Sequence, residues 1–281
     1  LKLISDPIDR TASTDSKAAW MEPAGADLRY VLSGSGPAGA VMIHELGGSI
    51  ESWDRVVAPL EATMQLLRYD QRGQGQSARV NAAFSLNDQL DDLRNLLDAI
   101  AWRRPCWLIA AAAGAAIAVS FAARFPDEVA GVILCAPALD VDPSRVQYLR
   151  ERAELAVRDG MSAIVDVTLD NSWPPILRND KAAYDEYRAR FVTSDPTGYA
   201  FASRALSEID LSAALGALAC PCLVLAGEHD LQRPPERLAQ QAARMTQTSF
   251  DVVPLAGHLM AAQQPAEVAR RIVAFIGRTQ V

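Results

Sequence analysis

The chain has 281 residues, half of them apolar and 22% charged, with 27 Lys and Arg against 34 Asp and Glu for a formal charge of −7. This is a globular balance, long enough for one large α/β domain or two small ones. Its acidic sign excludes a non-specific nucleic-acid binder, which needs a basic stripe, and no apolar run reaches the ~18–20 residues that span a bilayer.

Leu28 to Ser33 reads as a strand, followed by a Gly-Ser-Gly-Pro turn at 34–37. Ala40 to Ile43 is a short all-apolar run, as expected of a strand buried on both faces. It ends in His44-Glu45-Leu46-Gly47-Gly48-Ser49, and a helix is expected from about Ser52. Gln65 to Tyr69 is the next strand, with Asp70 to Ser77 as the loop beyond it. Ser85 is placed to cap a helix, with Asp88 where an acid favours the N-terminus. Leu86, Leu90, Leu93, Leu97 and Ile100 then fall on one helical face. Cys106 to Ala110 is a strand, Ala113 to Arg124 a helix stopped by Pro126, and Val129 to Cys135 another strand.

After Pro137 the rhythm changes. From about Asp142 to Ser207 the chain is charged, helical and rich in Arg, Tyr and Trp, with no good strand. The alternation returns with strand Pro221 to Ala226, a helix from about Pro235 to Met245, strand Phe250 to Pro254 and a helix from about Pro265 to Gly277. Alternating strands and helices predict a mostly parallel, doubly wound sheet of the α/β class. The expected organisation is a core over 1–139 with an N-terminal extension at 1–20, a helical cap over 140–207, and the rest of the core over 208–281. Such a cap would lie over the C-terminal edge of the sheet, where ligands of open α/β sheets bind.

The four cysteines are Cys106, Cys135, Cys220 and Cys222; the last two form C-P-C, not a C-x-x-C metal or redox motif. They are expected to be small buried hydrophobes kept reduced. Residues 1–20 show no apolar h-region, so the expected compartment is the cytoplasm.

The three histidines, His44, His229 and His258, each follow a strand or lie in a loop just past one. Their concentration at one sheet edge points to a site. Here the chain resembles the α/β-hydrolase superfamily from about Leu28 to Gly277. His44-Glu45-Leu46-Gly47-Gly48-Ser49 is similar to that family's HGxGGS oxyanion loop, with Glu45 in place of the usual Gly. Asp70-x-Arg72-Gly73-x-Gly75-x-Ser77 resembles its DxRGxGxS segment. Leu225 to Asp230 resembles the strand and turn of the triad acid, and Ala256-Gly257-His258 the turn of the triad base. The resemblance implies Asp230 and His258 as acid and base, and the backbone amides of Leu46 and Ala113 as the oxyanion hole.

The nucleophile elbow G-x-S-x-G falls on Ala110-Ala111-Ala112-Ala113-Gly114, so Ala112 holds the nucleophile position. Its methyl cannot attack a carbonyl. Ser120 lies about 12 Å along the helix, Cys106 is at the far end of its strand, and Cys135 is the least poor substitute. Three readings follow: a deliberate Ser→Ala variant of a hydrolase, a natural pseudoenzyme that binds a ligand, or a lyase or oxygenase using the His258–Asp230 pair as base. The otherwise intact machinery favours the first, while Ala110 and Ala115, also in Gly positions, count against a single change.

Within the superfamily the chain resembles 3-oxoadipate enol-lactonases, through Leu66 to Gly73, Pro196 to Ala200, Val224 to Pro235 and Gly257 to Leu259. The resemblance implies a small carboxylate-bearing lactone, ester or enamide of ring catabolism, with no cofactor and no metal. Trp173, Tyr184, Tyr187 and Tyr199 are expected to wall an apolar pocket. One or two of eight Arg between 145 and 204 are expected to clamp a carboxylate. His44, Glu45 and Trp173 are the expected substrate contacts. The expected partner is a small molecule, not nucleic acid or membrane; a homo-oligomer is compatible with the sequence.

Overall fold

The computed structural model describes residues 18–21 and 27–279. Strands β1 (Ala18–Met21), β2 (Leu28–Ser33) and β3 (Ala38–Ile43) lead into helix α1 (Asp54–Glu61), strand β4 (Met64–Tyr69) and helix α2 (Leu86–Ala99). Strand β5 (Cys106–Ala111), helix α3 (Gly114–Arg124) and strand β6 (Val129–Cys135) follow. Next come four helices, α4 (Pro143–Asp159), α5 (Val165–Ser172), α6 (Lys181–Val192) and α7 (Pro196–Ser207), and a short α8 (Ser212–Ala217). Strand β7 (Cys222–Gly227), helix α9 (Pro235–Ala242), strand β8 (Thr248–Val253) and helices α10 (Met260–Gln263) and α11 (Pro265–Thr279) complete the chain.

The strands form one eight-stranded sheet in the order β1-β2-β4-β3-β5-β6-β7-β8. The β1–β2 and β2–β4 pairs are antiparallel and the remaining pairs parallel. All six residues of β5 are buried, as a strand covered on both faces requires. Its alternate side chains enter two cores. Leu108 and Ala110 pack with Leu93 and Leu97 of α2 and Val119 and Phe121 of α3. Trp107 and Ile109 pack with Val56 and Leu60 of α1 and Ile272 and Phe275 of α11.

Local signals account for several boundaries. Ser85 caps α2, its hydroxyl accepting from the Asp88 N–H while the Asp88 carboxylate reaches back, a capping box. Pro126 follows α3 and opens a short 3₁₀ turn. Two of the differences from expectation concern the edge strands of the sheet. Residues 18–21, assigned above to an N-terminal extension, join the sheet as β1, which only its pairing with β2 defines. Strand β8 begins at Thr248 because Cys222 to Gly227 of β7 is paired residue for residue from there.

The segment between β6 and β7 has a small core of its own, built on Ile164, Val165, Leu169, Trp173, Phe191 and Tyr199. It meets the sheet layer at a very close approach. A Cβ on Gly198 of α7 would lie 1.8 Å from the carbonyl oxygen of Gly73, in the loop after β4. Two glycines thus let a helix of the insertion touch the loop that follows a central strand.

Candidate active site

Strand β5 delivers Ala112 at the sheet edge with φ of +45°, a left-handed conformation that costs a residue with a β-carbon about 1–2 kcal/mol. The backbone is pinned there. The Ala112 N–H donates to the Cys135 carbonyl at 2.9 Å, and the Ala112 carbonyl accepts from Ala138 at 2.9 Å. Gly114 then opens α3 against the end of β3, where a Cβ would lie 2.6 Å from the His44 carbonyl oxygen. The turn therefore has the strand-to-helix geometry of an elbow, with a methyl group at its tip. Cys135 offers no alternative nucleophile, because burial pushes its thiol up to about 12.

His258 stands in the loop after β8 and Asp230 in the turn after β7. His258 Nδ1 lies 2.9 Å from Asp230 Oδ2, and both side chains are largely buried. Because a carboxylate only accepts, Nδ1 carries the proton of this hydrogen bond, and in the neutral ring Nε2 holds the lone pair. Asp230 Oδ1 accepts from the backbone N–H groups of Gln232 at 2.8 Å and Arg233 at 2.9 Å. Burial pushes the Asp230 carboxyl up, but His258 and these two N–H groups outweigh it and hold it below its ordinary value. The two turns are also tied to each other, since the His229 N–H donates to the Ala256 carbonyl at 2.8 Å. The His258 N–H donates to the Ser172 carbonyl at the end of α5, so the insertion helps to fix the histidine.

The loop after β3 is held by side chains from the loop after β4. His44 Nε2 accepts from the Gln71 N–H at 3.0 Å, so its Nδ1 carries the proton and donates to the Glu45 carbonyl at 2.8 Å. Gln71 Nε2 donates to the His44 carbonyl at 2.6 Å, and Gln74 Oε1 accepts from the Gly47 N–H at 2.7 Å. Among the described residues, the N–H groups of Leu46 and Ala113 donate to no protein acceptor. Both residues line the same cavity as Ala112 and His258.

That cavity encloses about 780 Å³ of non-atom space, open mouth included. Of the eight Arg considered from the sequence, Arg145 and Arg152 of α4 line it, and Arg233, outside that segment, joins them. Arg178 and Arg188 are instead paired outward with Asp170 and Asp166. Burial lowers the Arg233 guanidinium, with Asp140 opposing the fall. Asp140 also takes both hydrogen bonds of Arg237 at 2.9 Å. Glu45 is buried, lines the cavity and accepts hydrogen bonds at Oε1 from Ser52 and Tyr187.

Two expected substrate contacts are corrected. His44 is completely buried and does not line the cavity; both ring nitrogens are spent on backbone groups of the loops it joins. Trp173 is sealed in the core of the insertion, edge-on to Tyr184 and Tyr187, with its indole N–H on the Leu177 carbonyl. Of the four expected wall aromatics only Tyr187 lines the cavity, joined by Phe191. His229 sits beside Glu228 at the surface, outside the cavity. Arg233 and the bracing residues Gln71 and Gln74 were missed. Arg233 lies three residues beyond Asp230, on the side of the Asp turn that faces the cavity; Gln71 and Gln74 fill the variable positions of the DxRGxGxS segment.

Comparison with known proteins agrees with this architecture. A protein of Variovorax paradoxus named "Putative carbamate hydrolase RutD" is 28% identical over 265 residues, covering 89% of this chain and 96% of that one. The structure of a thermophilic esterase from Thermogutta terrifontis, malate bound, superposes with a TM-score of 0.88 at 25% identity, covering 94% of this chain and all of that one. The enol-lactonase from Burkholderia xenovorans LB400 superposes with a TM-score of 0.86 at 25% identity, covering 92% of this chain and all of its own. The Hydrolase_4 family, described as serine aminopeptidase, S33, matches residues 37–262. A sheet of this order, an elbow at the end of β5 and a family match across most of the chain lead to one conclusion: the protein belongs to the Hydrolase_4 family of α/β-hydrolases.

Proposed function

We propose that the cavity binds a small carboxylate-bearing lactone, ester or enamide with its carbonyl over Ala112, and that the chain does not hydrolyse it by the acyl-enzyme route. The observation that carries this is the left-handed Ala112 at the elbow, in one cavity with His258, Leu46 and Ala113. In this reading the Leu46 and Ala113 N–H groups form the oxyanion hole, Asp230 orients His258, and only the attacking hydroxyl is missing. Arg145, Arg152 and Arg233 bind the carboxylate. The relatives support the substrate class: one is named a carbamate hydrolase, one an enol-lactonase, and one esterase is described with malate, a dicarboxylate.

The test is Ala112→Ser beside the parent on small enol-lactones, enamides and p-nitrophenyl esters. Nucleophile, base and acid act as a unit, and removing one leaves roughly 10³–10⁴-fold over water in serine proteases. Ala112→Ser is therefore expected to raise turnover by about 10³-fold or more. Equal rates in the two proteins would refute the serine-type reading.

A second reading rests on the intact pair. With Nδ1 on Asp230 and His258 lining the cavity, Nε2 has no hydrogen-bond partner among the described residues, as a general base requires. If the parent turns over a substrate and His258→Ala abolishes that turnover, the site works as a base without a covalent intermediate.

A further inference from the structure

Glu45 is a buried charged group that a serine-type mechanism leaves unused. It is 5% exposed and lines the cavity, yet forms no ion pair among the described residues. Its setting is shaped to hold it. A Cβ on Gly48 would lie 2.5 Å from Glu45 Oε1, so the carboxylate in this position packs directly over the glycine. Ser52 at 2.8 Å and Tyr187 at 2.7 Å both donate to Oε1. Oε2 receives no hydrogen bond from the described residues and is not sealed away from open space. A buried carboxylate without a cation is strongly disfavoured unless something else completes it.

An excess of positive charge lies elsewhere in the same cavity, where Arg145, Arg152 and Arg233 stand with one carboxylate of the lining, Asp142. Arg145 and Arg152 form no salt bridge among the described residues; Arg152 is cushioned by the rings of Tyr148 and Tyr199 instead. Arg233 shares its carboxylate, Asp140, with Arg237. The sheet order separates the two charges. Glu45 follows β3, on one side of Ala112 after β5, while Arg233 follows β7, on the other. From β3 to β7 is three strand spacings, about 14 Å at ~4.8 Å each.

From this geometry we infer that Glu45 is a specificity residue, and that the cavity takes a zwitterionic ligand: a carboxylate at the arginines and a protonated amine at Glu45 Oε2. The inference rests on the carboxylate reading above and adds the amine. Tyr187 and Ser52 fix the Glu45 carboxylate so that Oε2 meets the amine, and each charge of the ligand meets an opposite charge of the cavity, Glu45 on one side and Arg145 and Arg152 on the other, that forms no salt bridge among the described residues.

The experiment measures dissociation constants by calorimetry for the parent protein with pentanoate, 5-aminopentanoate and pentylamine, extended to the shorter and longer ω-amino acids. At least one ω-amino acid is expected to bind about tenfold or more tighter than its amine-free counterpart, the scale of a desolvated charge-assisted hydrogen bond. Glu45→Gln keeps an acceptor for Ser52 and Tyr187; it is expected to retain the fold by circular dichroism and to bring that ratio to about one. Arg152→Met is expected to weaken both acids alike. Equal affinities in the parent, or a ratio unchanged in folded Glu45→Gln, overturns the assignment of Glu45 while the carboxylate reading stands. Glu45-dependent binding of pentylamine with no binding of pentanoate overturns the carboxylate reading and, with it, the zwitterion. Binding of none of these compounds overturns both.

Discussion

Asp230 shows how single residues set the chemistry of this site. One oxygen orients His258 and the other is fixed by two backbone N–H groups, so the carboxylate cannot rotate away. In the Ala112→Ser background, Asp230→Asn is expected to lower kcat by about 10³–10⁴-fold, the loss seen when a triad acid can no longer hold the tautomer. The same group carries a pH signature. Its carboxyl is held below its ordinary value in the folded protein, so its contribution to stability is present above the unfolded value, near pH 4, and is lost as pH falls through the folded value. The stability difference between the parent and Asp230→Asn in denaturant melts should therefore be present above about pH 4 and shrink as pH falls below it. A difference that grows as pH falls below about 4 would contradict this sign.

At the scale of elements, the site depends on how closely helices approach loops. Helix α3 can begin beside β3 only because Gly114 has no side chain, and this contact sets Ala113 near Leu46. Helix α7 depends in the same way on Gly198, which meets the Gly73 carbonyl. Since that neighbour is backbone, Gly198→Ala cannot be absorbed by a rotamer change. It should cost about 1–3 kcal/mol, the scale of overpacking, rather than gain the roughly 1 kcal/mol expected of a better helix former. Because α7 packs on α4, which carries Arg145 and Arg152, the same substitution should weaken carboxylate binding. Urea titration checks the first effect and calorimetry the second; an unchanged urea midpoint would show that α7 can shift freely.

For the whole molecule, the sheet core and the helical insertion each bring residues to one cavity. Ala112, Arg233 and His258 come from loops after strands, while Arg145, Arg152 and Tyr187 come from the insertion. A ligand held by both should therefore stabilise them together by mass action. At a concentration about 100 times its dissociation constant the gain is about 2.7 kcal/mol, or roughly 4–8 °C in Tm for a chain somewhat above 250 residues. Differential scanning calorimetry of the parent with a bound carboxylate should show one transition shifted upward, and Arg152→Met should remove most of the shift. A ligand that moved only one of two transitions would show that the insertion melts apart from the core. Among the described residues no helix is long and apolar enough to cross a membrane.

The sequence by itself determined the strand and helix order, because apolar periodicity and turn residues are local. The all-apolar run at β3, the leucine face of α2 and the capping box at Ser85 are each visible within a dozen residues. It also placed an alanine at the elbow and an acid and a histidine after the last two strands. Tertiary structure decided which of the loop residues face the cavity. His44 and Trp173 read from sequence as contacts, but loop packing turns one inward to backbone groups and the other into the core of the insertion. Glu45 could have faced solvent; the space above Gly48 and the hydroxyls of Ser52 and Tyr187 bring it to the cavity. Arg145 and Arg152 look like the six other arginines between 145 and 204, and only the packing of the insertion separates them. Side-chain direction depends on contacts between residues as far apart as 45 and 187, which no local pattern encodes.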